Sequence, residues 1–166
     1  MGGISVLLFL GIMSFIVMFL LVFLILVIIY TTASYILESL SARRIGENLQ
    51  YRCGSSSWIP FYNKYLLGKM AGSEICGIIS GFFSFAAFCL TAYFFYDTDM
   101  PVEIFIILLA SLFITFISDA VSAHRLYKSA IGDYGIILTV FTVLTLGVLR
   151  PMFIFAIKSR VHKIEK

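Results

Sequence analysis

Five polar side chains recur at helical spacing within an otherwise apolar stretch: Ser111, Thr115, Ser118, Asp119 and Ser122. At 100° per residue they share one helix face, within about 100° of one another. Asp119 carries the chemistry of that face. It follows Glu103 by about 24 Å along a helix rising 1.5 Å per residue. If Glu103 marks one membrane boundary, Asp119 lies near the other. An acid inside hydrocarbon is costly and is a candidate for proton or cation handling. No base lies three or four residues further on, so an ion-pair partner must come from another segment. Arg43, Arg44 and Lys69 are the candidates. The plainer reading is that Asp119 reaches the interface and orients the end of its helix.

A second set lies on the preceding apolar run. Gly77 and Gly81 form G-x-x-x-G, with Ser80 and Ser84 on the same side. Small faces let membrane helices approach closely, and hydroxyls bond across the gap. The expectation is packing against the Ser111–Ser122 stripe, with docking to another membrane protein as the alternative.

Catalytic signatures are mostly absent. The two histidines, His124 and His162, form no H-E-x-x-H, and there is no G-x-S-x-G elbow or phosphate-binding loop. Tyr96-Asp97 and Gly132-Asp133 loosely resemble the paired motifs of presenilin-like proteases. Ala130 stands where that motif needs glycine, and the two acids fall at opposite membrane edges, whereas a dyad must share one site. Cys53, Cys76 and Cys89 form no C-x-x-C pair and read as small buried hydrophobes, with no metal site and no disulfide framework. The chain is expected not to be an enzyme and to hold no cofactor.

The elements that must position these residues are apolar runs at 4–30, 75–96, 102–123 and 136–157. About 20 apolar residues cross a hydrocarbon core of roughly 30 Å, so each run is long enough. Hydrophobic residues make up 61% of the chain and charged residues 13%, which leaves little for a soluble domain. The expected fold is an all-α integral membrane protein: one domain over 1–166, a four-transmembrane-helix bundle. The first run lacks a basic leader and is too long for a signal h-region, so it reads as a retained span.

The connection 31–73 is cytoplasmic or interfacial in this reading. Leu37, Leu40, Ile45 and Leu49 fall at helical spacing within 35–51, an amphipathic segment on the membrane surface or an extension of the first helix. Trp58, Tyr62, Lys64 and Lys69 suit the headgroup level, where Lys snorkels outward. Pro60 suits the first position of a short helix. Arg43 and Arg44 add to a basic surface for anionic lipids. Nucleic-acid binding is not expected.

The short connection 97–101 makes the second and third spans antiparallel neighbours. Basic residues in the first and third connections place both in the cytoplasm and the N-terminus outside. The tail opposes this, because Lys158, Arg160, Lys163 and Lys166 would lie outside after four spans. Arg150-Pro151 could end a short fourth helix and let the tail fold back.

The segment W-I-P-F-Y-N-K-Y-L-L-G-K-M-A at 58–71, with A-R-R-I-G at 42–46 and R-P-M-F-I-F at 150–155, resembles a group of small bacterial multi-pass membrane proteins with a W-I-P-x-x-N-x-x-x-L-G-K segment between their first two spans. The resemblance implies a bacterial cytoplasmic membrane and no particular activity. Trp58, Pro60, Asn63, Gly68 and Lys69 are the shared positions. The function expected is that of an accessory, regulatory or immunity-type subunit acting through transmembrane helix contacts. Its partners would be the bilayer and either a second membrane protein or further copies of itself. The alternative is a subunit of a small transporter or channel using Asp119 and its stripe.

Overall fold

A computed structural model describes residues 2–51, 54–96 and 101–161. The turn residues Arg52 and Cys53, most of the 97–101 connection, His162 and the basic tail residues Lys163 and Lys166 lie outside the described residues. Within them every regular element is helical: α1 (Gly2–Asn48), α2 (Tyr62–Met70), α3 (Glu74–Tyr96), α4 (Val102–Ile131), α5 (Gly135–Leu144) and α6 (Arg150–Ile157). Short 3₁₀ turns at Gly54–Trp58 and Gly132–Tyr134 join them. Three stretches are long and apolar enough to cross a membrane: Leu7–Asn48, Glu74–Phe94 and Val102–Leu144.

The chain divides into two units, Met1–Ile36 and Leu37–Lys166. The first is the leading part of α1. From Leu7 to Tyr30 nearly all its large apolar side chains are exposed, with Leu7 at 72% and Phe15 at 71%. A helix apolar on all sides and buried on none has the surface of a membrane span.

The second unit holds the core. Ala42 and Ile45 of α1 pack with Leu66, Leu67 and Met70 of α2, Leu126 and Tyr127 of α4, and Ile154 and Ile157 of α6. The segment 35–51, expected to be amphipathic, is the unbroken end of α1 through Asn48. Its Ala42 and Ile45 are fully buried, whereas Leu40 is exposed.

Pro60 does not open α2. The helix begins at Tyr62, after Phe61 takes a left-handed φ of 66°. Two glycines then let α2 lie directly on α3. A Cβ at Gly68 would come within 2.4 Å of the Gly77 Cα, and one at Gly77 within 2.8 Å of the Tyr65 carbonyl oxygen. Backbones approach this closely here because glycine supplies no Cβ to hold them apart.

The run 136–157, expected as one fourth span, is two helices of 10 and 8 residues. Leu146 (φ 50°) and Gly147 (φ 82°) turn the chain between them. Arg150 and Pro151 open α6, where a missing N–H leaves no helical bond unmade. α5 runs back along α4: Gly135 packs on the Tyr127 and Lys128 backbone, and His124 Nδ1 lies 2.9 Å from Thr139 Oγ1.

Candidate functional site

Asp119 sits in a buried cluster of four charges drawn from four helices. Its Oδ2 accepts from Lys64 Nζ of α2 at 2.9 Å and from Arg150 Nη1 of α6 at 3.0 Å. Its Oδ1 accepts from the Ser80 hydroxyl of α3. Arg150 Nη1 also donates to Glu38 Oε1 of α1 at 2.8 Å, and Lys64 Nζ donates to Ser84 Oγ at 2.8 Å. The side chains of Arg150, Glu38, Asp119 and Lys64 are 6%, 10%, 13% and 21% exposed. Two acids and two bases cancel in formal charge. Buried ions persist where they are paired and hydrogen-bonded, and this cluster meets that condition.

The local sequence explains each contribution. Ser80 and Ser84 are one helical turn apart, so both hydroxyls face the same neighbour. Gly68 and Gly77 bring α2 close enough for Lys64 to turn inward. The 145–149 turn delivers Arg150 at the first position of α6.

The partners expected for Asp119 are engaged elsewhere. Arg43 and Arg44 pair with Glu47 at 3.2 and 3.1 Å on the exposed side of α1. Lys69 lies 3.9 Å from Glu74. Lys64, expected to snorkel outward, points inward. The sequence reading missed Lys64, Arg150 and Glu38 as members of the site. One signal was available. Arg150 is the one charge within the apolar run 136–157 and Asp119 the one acid of the α4 stripe, and intramembrane charges pair with each other.

The polar stripe of α4 is buried along its length. Ser111 Oγ donates to the Ile107 carbonyl at 2.8 Å, and Ser122 Oγ lies 3.4 Å from Ser73 Oγ. Thr115 Oγ1, one turn before Asp119, is buried and has no hydrogen-bond partner among the described residues. The small face of α3 divides its work. Gly77 meets the backbone of α2, and a Cβ at Gly81 would fall 3.1 Å from the carbonyl oxygen of Phe61, the residue just before α2. Ser80 and Ser84 reach the charges.

At the surface, Trp58 and Tyr62 are exposed. The Tyr65 hydroxyl donates to Glu74 Oε1 at 2.7 Å, and Lys69 Nζ stands 5.7 Å from the Tyr65 ring centre. The Glu74 carboxylate holds the Tyr65 proton and pushes its pKa up. Contact with Tyr65, and then the Glu74 charge, pushes Lys69 up.

A crevice of about 280 Å³ opens between α4 and α5, lined by His124, Ile136, Thr139, Val140, Val143 and Leu144. Its walls are almost wholly apolar. Among the described residues no three His, Cys, Asp or Glu side chains gather as a metal site.

No family model, curated protein or solved structure matches this chain. The functional reading therefore rests on the geometry of its own residues.

Proposed function

We propose that the chain is a non-enzymatic integral membrane protein of the bacterial cytoplasmic membrane, serving as an accessory, regulatory or immunity-type subunit of a larger membrane complex. The observation that carries this is the leading half of α1. Among the described residues, its 18-residue apolar window has none buried, and Gly11 has no neighbouring atom within 4 Å of an added Cβ. A long helix that packs on nothing in its own unit offers its whole surface to lipid or to another transmembrane helix, and Gly11 permits close approach. The charge cluster supports the same reading, because its groups neutralise one another. Arg43, Arg44 and Lys69 at the ends of α1 and α2 suit anionic headgroups.

The test is native mass spectrometry of the tagged chain, gently extracted from its own cells. The reading expects a stoichiometric second membrane protein, or further copies of the chain, that disappears when residues 7–30 are replaced by a uniform leucine helix. A bare monomer under every mild extraction sinks it.

One observation favours a second reading, a transporter or channel subunit. Thr115 Oγ1 is buried one turn from Asp119 with no hydrogen-bond partner among the described residues, an oxygen placed to bind an ion or water on a path past that carboxylate. Thr115→Val removes that oxygen and leaves the ion pairs intact. On this reading it stops flux in reconstituted vesicles, and unchanged or absent flux in both forms excludes it.

A further inference from the structure

The geometry points to a re-entrant hairpin: residues 135–157 enter the membrane, turn within it and return to the face they left. Five contacts set the direction of travel. Gly135 starts beside Tyr127 and Lys128 near the end of α4. A Cβ at Gly147 would lie 3.7 Å from the Phe116 ring, three turns back along α4. Arg150 meets Asp119, and the Phe153 ring stacks edge-on to Tyr127 with centroids 6.3 Å apart. Asn48 Nδ2, at the end of α1, then donates to the Lys158 carbonyl at 3.0 Å. The chain thus climbs from the level of Tyr127 to that of Phe116 and descends past Tyr127 again.

The lengths fit a half-crossing. Ten residues of α5 rise about 15 Å and eight of α6 about 12 Å, against the roughly 30 Å of a full core. The turn is built for hydrocarbon. Non-helical backbone at depth must bond internally, and this turn does so. Thr145 N–H donates to the Phe141 carbonyl, Leu146 to Val143, Gly147 to Thr142, Val148 to Thr145 and Arg150 to Gly147. Leu149 N–H reaches Thr145 Oγ1 at 3.5 Å. The tip side chains Leu144 and Leu146 are 72% and 79% exposed, which in water would be a penalty and in lipid is not.

Charge agrees independently. A full fourth span would put the basic residues after 157 across the membrane from the other connections. A hairpin returns them to the side of Arg43, Arg44, Lys69, Arg125 and Lys128, and the positive-inside rule then holds for every connection. The inference needs the membrane but not the partner proposed above.

The test uses single cysteines at Asp133, Ser159, Tyr96 and Leu146 in a background with Cys53→Ser, Cys76→Ala and Cys89→Ala. A membrane-impermeant maleimide is applied to right-side-out and inverted vesicles. Asp133→Cys and Ser159→Cys are expected to label from one face, Tyr96→Cys from the other, and Leu146→Cys from neither. Labelling of Ser159→Cys from the same face as Tyr96→Cys overturns the hairpin, as does labelling of Leu146→Cys at the rate of Asp133→Cys. The native chain gives a second readout through fusions at its C-terminus. Fluorescence from a green fluorescent protein fusion with an inactive alkaline phosphatase fusion agrees with the hairpin, and the reverse pattern overturns it.

Discussion

Asp119 and Arg150, 31 positions apart, meet with Oδ2 and Nη1 separated by 3.0 Å. The same Arg150 nitrogen holds Glu38 at 2.8 Å, so one guanidinium ties the start of α6 to both α1 and α4. Lys64 completes the balance on the other side of the Asp119 carboxylate. The arrangement makes a short helix of only eight residues part of a fixed bundle.

Backbone contact between α2 and α3 should be the most sensitive apolar feature. Gly68→Ala places a methyl 2.4 Å from the Gly77 Cα, with only backbone to yield. It is expected to destabilise by about 1–3 kcal/mol, the range for forced overpacking. Gly11→Ala meets no atom within 4 Å and should leave the isolated chain unchanged. Unfolding in mixed micelles compares the two, and equal effects would refute the contact.

Thr115→Val should be neutral or stabilising by about 1 kcal/mol, because it removes a buried hydroxyl that has no partner among the described residues. Ser80→Ala should destabilise, since it takes a donor from the Asp119 carboxylate. Opposite signs in one thermal-stability series check both. A clear loss with Thr115→Val would mean that its oxygen is occupied.

Tyr65 should titrate later than an ordinary tyrosine. Its proton is held by Glu74, which favours the neutral phenol. The raised pKa means that the contribution to stability is complete below the ordinary tyrosine range and is lost as pH rises through the folded-state titration. Glu74→Gln should bring the titration back down. Carbon-13 chemical shifts of labelled tyrosine, with Tyr65→Phe for assignment, measure it. An unmoved resonance in Glu74→Gln would contradict the assigned cause.

Glu38→Gln should be milder than any change to Asp119. Among the described residues Glu38 has one partner in the cluster, Arg150, whereas Asp119 has three: Lys64, Arg150 and Ser80. Stability of Glu38→Gln against Asp119→Asn in one detergent decides this. The reverse ranking would move the centre of the cluster to Glu38.

The all-helical class and its long apolar helices were legible from length and apolarity alone, since α3 and α4 follow their runs closely. So was the stripe of α4, because periodicity names a face before any neighbour is known. What that face meets was not legible. Lys64 sits among aromatic residues that signal an interface, and only the glycine contact of α2 with α3 turns it inward. The run 136–157 misled through composition. It is apolar enough to span, and its division depends on Leu146 and Gly147 adopting positive φ, which no hydropathy pattern records. Gly68 was noted as a motif position, but its role as a close contact required the partner backbone.

The central claim is that Asp119 and Arg150 act as one buried pair. A double-mutant cycle of Asp119→Asn, Arg150→Met and their combination, read by unfolding in mixed micelles, tests it most directly. Each single change leaves an uncompensated charge and should cost about 3–5 kcal/mol. The double variant should cost clearly less than the sum of the two. Strict additivity would mean that the charges do not interact, and the cluster would lose its place as the structural centre of this protein.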